Sequence, residues 1–74
     1  MEELLLELIN QILLKKGKTP LSILDKDLKL QSDLGFDSFD LAELTVKLED
    51  KTGIDIFERR IIRTVGEILE ELQR

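Results

Sequence analysis

The sequence predicts an all-α fold: a small four-helix bundle with three main helices, one short helix and a long first loop. Three observations carry this reading. Apolar residues recur at i, i+3, i+4 and i+7 in three separate stretches, the spacing that gathers them on one side of a helix. Start and stop residues bracket those stretches: Gly17, Asp37-Ser38, Gly53 and Thr64 with Glu67. Of the 74 residues 42% are hydrophobic, chiefly Leu and Ile, so one aliphatic core can close without staples in a chain near the size where a single core only just suffices. Residues 1–74 read as one domain, with no internal repeat and no low-complexity segment.

The first helix is expected from Glu3 to Lys16. Leu5, Leu8, Ile9 and Ile12 form its inner stripe, Leu4, Leu6, Leu13 and Leu14 widen it, and Gly17 ends it. Lys15, Lys16 and Lys18 complement the negative end of the helix dipole. From Gly17 to Asp37 the periodicity dissolves at Pro20, at the charged run Asp25 to Lys29 and at Gly35. Leu21, Ile23, Leu24, Leu28, Leu30 and Leu34 are expected to pin this segment to the bundle as an ordered crossover, with a turn of helix at Ser22–Asp25. In the second helix Leu41, Leu44, Thr45 and Leu48 form the inward stripe, Thr45 bonding back to the preceding turn. After Gly53, a short helical turn is expected over Glu58–Ile62 with Ile61 and Ile62 inward. Val65, Ile68, Leu69 and Leu72 supply the buried side of the last helix, opened by the Thr64/Glu67 capping box.

Composition removes several function classes. There is no Cys and no His, which excludes disulfides, thiol catalysis, the usual metal ligands and any Ser-His-Asp triad. A lone Ser without a base has no route to activation, so an enzyme is the least supported reading. Net charge is −5, and a nucleic-acid partner would require a basic surface. The N-terminus has acids where a signal peptide needs basic residues, and no apolar run approaches membrane length; the expected setting is cytoplasmic, without membrane insertion. Asp25, Asp27 and Asp33 invite a calcium-loop reading, but Leu30 and Phe36 stand where that loop needs Gly and Glu. No metal site is expected.

The stretch Leu34 to Asp50 gathers acids around Ser38 at the start of the second helix. Asp37 or Ser38 can accept from the open N–H groups of the first turn, and Asp40 suits the dipole. Opposite the inward stripe lie Phe39, Ala42 and Val46, with Glu43 and Asp50 on their side and Asp40 and Glu49 flanking. Five acids (Asp37, Asp40, Glu43, Glu49, Asp50) face Lys47 alone, a local balance of minus four. Apolar side chains on an acid-bordered face suit a docking surface that steers basic partners.

Gly35, Asp37, Ser38, Phe39, Asp40, Glu43, Leu44, Leu48, Glu49, Gly53, Ile54 and Ile56 stand in an order and spacing that resembles the acyl carrier proteins, and the likeness runs from the first helix to the last. The resemblance implies that Ser38 carries 4'-phosphopantetheine, attached from coenzyme A by a phosphopantetheinyl transferase for which Asp37 is part of the recognised site. The arm's thiol would hold an acyl group as a thioester. Acyl-transferring or condensing enzymes with basic docking patches would then meet Phe39, Asp40, Ala42, Glu43, Val46, Glu49 and Asp50. An acyl chain slipping between the helices would meet Leu44, Leu48, Ile56, Ile62 and Leu69, whose plain alternative is core packing.

Departures from the pattern point to a specialised carrier. Carriers of fatty acid synthesis usually have an acid-rich third helix, whereas Glu58, Arg59, Arg60 and Arg63 give a local balance of plus two. Lys47 and Lys51 interrupt the acidity of the second helix, and Thr45 stands where relatives often have an aliphatic residue. A free-standing, monomeric carrier for a polyketide, modified lipid or similar product is the expectation. Alternatives are a D-alanyl or aminoacyl carrier, and, in a different class, an acidic helical interaction module in which Ser38 is only a cap.

Overall fold

A computed structural model describes residues 1–73. It contains α1 (Glu2–Lys15), α2 (Ser38–Thr52) and α3 (Val65–Leu72). Among the described residues there is no β-strand, only an isolated antiparallel bridge between Lys29 and Thr64. The predicted stripes are buried: Leu5, Leu8, Ile9, Ile12 and Leu13 on α1, Leu44 and Leu48 on α2, and Val65, Ile68, Leu69 and Leu72 on α3. Leu41 and Thr45 lie at the edge of the α2 stripe and are only half-buried. The Thr45 hydroxyl donates to the Leu41 carbonyl at 2.7 Å. Leu14, expected to widen the α1 stripe, is exposed.

Residues 16–37 contain no helix, and the turn of helix expected at Ser22–Asp25 is a bend followed by a turn at Lys26–Asp27. Side chains and lateral backbone bonds hold this segment in place instead. Asn10 clasps Leu21 from α1, accepting from its N–H at 2.7 Å and donating to its carbonyl at 2.9 Å. The Leu30 N–H donates to the Arg63 carbonyl at 2.9 Å, and the Val65 N–H to the Leu28 carbonyl at 3.0 Å. Leu30, Leu34 and Phe36 are buried, whereas Ile23 is exposed and pins nothing.

The short helix expected over Glu58–Ile62 is absent. A turn at Ile56–Phe57 passes into bends and then extended chain up to the Thr64 bridge. Asp55 stabilises that turn, its carboxylate accepting from the Phe57 N–H at 3.0 Å. Beyond it, the Arg63 carbonyl is taken by Leu30 and the Arg63 N–H by Glu67 at 2.7 Å, so these groups are spent sideways and not along a helix. In extended chain neighbouring side chains point to opposite sides. Ile62 is therefore buried while Ile61 is 72% exposed, which corrects the expectation that both turn inward.

Candidate functional site

The start of α2 is set by the residues just before it. Gly35 has φ +71°, a left-handed turn, and the Lys18 ammonium occupies the space a Cβ would need there. That ammonium donates to the Leu34 carbonyl at 3.1 Å. Phe36 is buried and its N–H donates to the Leu30 carbonyl at 2.9 Å. With its predecessor anchored in the core, Asp37 becomes the N-cap in extended conformation. Its Oδ1 accepts from the Asp40 N–H at 2.9 Å, and Asp40 Oδ2 accepts from the Asp37 N–H at 3.0 Å. This reciprocal capping box leaves Ser38 as the first helical residue, exposed to solvent. The Ser38 hydroxyl enters no hydrogen bond among the described residues. The Ser38 and Phe39 amides belong to the first turn and have no partner within the helix.

Asp40, expected on a docking surface, is turned away from the exposed face of Phe39 and Val46. It is only 8% exposed, and the Lys16 ammonium lies 2.7 Å from its Oδ2. Burial alone would push its carboxyl upward, but Lys16 and the Asp37 amide outweigh that and hold it below the usual carboxylate range. Lys16 is raised in turn, chiefly by its bond to Asp40. Helix periodicity located Asp40 toward the flank, and no pattern within α2 could show that α1 ends with a cation against it.

Glu43 is likewise drawn toward α1. Lys15 sits at 2.9 Å and Lys47 at 3.3 Å from its carboxylate, and the bond from Lys15 is the main reason its pKa is lowered. Phe39 (83% exposed) and Val46 (65% exposed) stand out from α2, with Ala42, Glu49 and Asp50 exposed on the same face. The structure thus brings these five together and leaves Asp40 and Glu43 bound to α1.

Leu44, Leu48, Ile56, Ile62 and Leu69 are all buried in the core, and only Ile62 among them reaches a groove beside α2. That groove, about 640 Å³, runs between α2, the segment after it and the loop around Leu30. Leu41, one turn from Ser38 on the same helix, lines it, and Leu30, Phe57, Ile61 and Ile62 form the rest of its apolar lining. Sequence reasoning missed Leu41, Phe57 and Ile61 as lining. The paired Ile61-Ile62 was a signal only if the segment was taken as extended. Leu69 borders a separate cleft of about 250 Å³ beside Lys26 and Asp27.

An exposed hydroxyl beside two open amides at a helix N-terminus fits a phosphodiester, since the amides and the helix dipole both favour an anion there. Among the described residues no cluster of His, Cys, Asp or Glu could hold a metal ion. The sequence model of the family described as "Phosphopantetheine attachment site" matches residues 3–72. An acyl carrier protein of Saccharopolyspora erythraea is 36% identical over 66 residues, covering 86% of this chain and 70% of that protein. The chain belongs to the acyl carrier protein family. A second acyl carrier protein, from Lactobacillus johnsonii, is 42% identical over 50 residues, 65% of this chain and 62% of that one. No solved structure gives a significant match. As an acyl carrier protein the chain is a carrier and not an enzyme, phosphopantetheine is its cofactor, and it works with partner enzymes. No described helix is long and apolar enough to cross a membrane.

Proposed function

We propose that Ser38 is the attachment residue and that residues 1–74 act as one cytoplasmic carrier domain for acyl intermediates. The observation that carries this is the exposed Ser38 hydroxyl at the first position of α2, beside two unpaired amides. Ser38 Oγ bonds to the pantetheine-bearing phosphorus of coenzyme A as the pyrophosphate bond breaks and adenosine 3',5'-bisphosphate leaves, and the hydroxyl proton passes to a base on the transferase. The carboxylate of the neighbouring Asp37 is committed to the Asp40 amide. The attached group supplies a thiol that holds the cargo as a thioester.

Partner enzymes with basic, partly apolar patches dock on Phe39, Ala42, Val46, Glu49 and Asp50, the exposed face next to Ser38. The transferase also reads Asp37. Cargo shelters in the groove along Leu41, Phe57 and Ile61 and not between the core leucines. Burial is worth at most ~0.8 kcal/mol per methylene, and opening a packed core would take much of that back. The basic segment Arg59–Arg63 favours a dedicated carrier for a polyketide or modified lipid over one of housekeeping fatty acid synthesis.

The test is mass measurement after incubation with coenzyme A and a broad-specificity transferase. A gain of one phosphopantetheinyl group is expected, lost in Ser38→Ala with an unchanged melting curve. A gain that survives Ser38→Ala moves the site elsewhere. No gain at all leaves the acidic face as a non-covalent interaction module.

A further inference from the structure

The groove next to Ser38 is not a plain hydrocarbon slot. Lys29 and Arg63 line it together with the apolar Leu30, Phe57, Ile61 and Ile62. Their backbones are fixed: the Lys29 N–H donates to Asp33 Oδ2 at 2.7 Å, Lys29 bridges to Thr64, and the Arg63 carbonyl holds Leu30. Yet neither the Lys29 ammonium nor the Arg63 guanidinium has an ion-pair or hydrogen-bond partner among the described residues. Lys15, Lys16, Lys47 and Arg60 reach carboxylates, whereas Lys26, Lys51 and Arg59 are like Lys29 and Arg63 in having no such partner among the described residues; what sets Lys29 and Arg63 apart is that they line the same groove. Glu67 is the one acid lining the groove, and its Oε1 is already taken by the Arg63 and Thr64 amides at 2.7 and 3.0 Å. With the Glu67 carboxylate counted, the groove's lining sums to plus one, a local reversal of sign in a chain of net charge −5.

We propose that this groove selects acyl cargo ending in a carboxylate, the apolar lining taking the methylenes and Lys29 and Arg63 pairing with the terminal anion. This rests on Ser38 being the attachment residue. The phosphodiester of the arm is a poorer occupant, because it is fixed at Ser38 Oγ by covalent geometry, whereas the groove begins one helical turn further on at Leu41. Arg63 offers the planar fork that matches a carboxylate, and Lys29 a point charge on a long stem. Both cations are solvent-exposed, so the selectivity is modest: pairs of this kind shift an equilibrium by about two- to fivefold, and salt weakens them.

The test loads the full chain from adipoyl-coenzyme A and from hexanoyl-coenzyme A, two cargoes of equal carbon count, with loading verified by mass. Amide chemical shifts of Leu30, Ile62 and Arg63 are then compared with those of the cargo-free holo form. Adipoyl cargo is expected to move these amides at least about twofold more than hexanoyl, the excess vanishing at 1 M NaCl and in the Lys29→Gln/Arg63→Gln double variant. Equal shifts for the two cargoes overturn the carboxylate reading in favour of simple apolar packing. Shifts already complete in the cargo-free holo form overturn it in favour of the arm itself. Failure to load either group is a different result: it removes the attachment reading, and this proposal with it.

Discussion

Asp37 is the N-cap of α2 and, in the proposed function, part of what the transferase reads; substitution separates the two. As N-cap it accepts the Asp40 amide at 2.9 Å, and Ala removes that acceptor while leaving the amide half-buried. Loss of an Asp cap costs about 1 kcal/mol, with a range of roughly 0.5–2. In a chain of this size that corresponds to a fall of about 4–8 °C in Tm. Asn is as good a cap and keeps the acceptor oxygen, so Asp37→Asn loses only the charge at the helix N-terminus, ~0.3 kcal/mol for an exposed site. Removing repulsion with Asp40 offsets part of even that. Loading is expected to divide the variants differently. If the transferase reads the Asp37 carboxylate through a charge-assisted contact, worth about 1.5–3 kcal/mol, both variants lose at least about tenfold in initial rate. Circular dichroism melts and the rate of mass gain under limiting transferase supply the two readouts. Asp37→Asn loading at the wild-type rate would refute the recognition role, and Asp37→Ala melting like wild type would refute the cap energetics.

Phe39→Ala is expected to change stability by no more than about 0.5 kcal/mol, because the side chain is exposed, while raising KM for partner enzymes; a large drop in urea midpoint would place Phe39 in the core. Leu48→Ala removes a fully buried side chain and is expected to cost about 2–5 kcal/mol, a large share of the ~5–15 kcal/mol available to such a domain; a urea midpoint near wild type would show that the α2 core stripe is loosely packed. Acid is expected to destabilise the fold. Asp40, Glu43 and Glu67 all have pKa values lowered by folding, so the unfolded chain binds more protons and their contribution, complete above the usual carboxylate range, is lost as pH falls through the folded values. Urea midpoints that stay flat from pH 7 to pH 3 would contradict these pairings.

How much of this was legible in the sequence depends on whether the deciding contact was local. Thr64 and Glu67 announce the α3 capping box three residues apart, and the buried stripes follow from spacing alone. Ser38 at the helix start, and Phe39 and Val46 on the outer face, followed the same periodicity. What failed was decided by distant partners. Glu58–Ile62 has no local breaker, and its backbone is drawn out of helix by Leu30 and by the bridge at Thr64, more than thirty residues apart in the chain. Ile61 changed side with it. Phe36, considered only as a missing calcium ligand, turned out to be a core anchor because the loop brings it under α2.

The count of charges along α2 misled for the same reason. Five acids against Lys47 give minus four, but Lys15 and Lys16 cross from α1 to Glu43 and Asp40, so the surface a partner meets there sums to minus two. Those two pairs are made at the end of α1, so the cations predicted to answer its dipole also fasten it to the start of α2. The remaining unpaired acids, Asp37, Glu49 and Asp50, spread around Phe39 and Val46, so in the proposed docking apolar contact would carry a larger share than the raw charge suggests. At the groove lined by Lys29 and Arg63 the sign reverses. In the proposed function, a partner that grips α2 with basic residues therefore has no electrostatic reason to cover the groove, which would leave it open to cargo on Ser38.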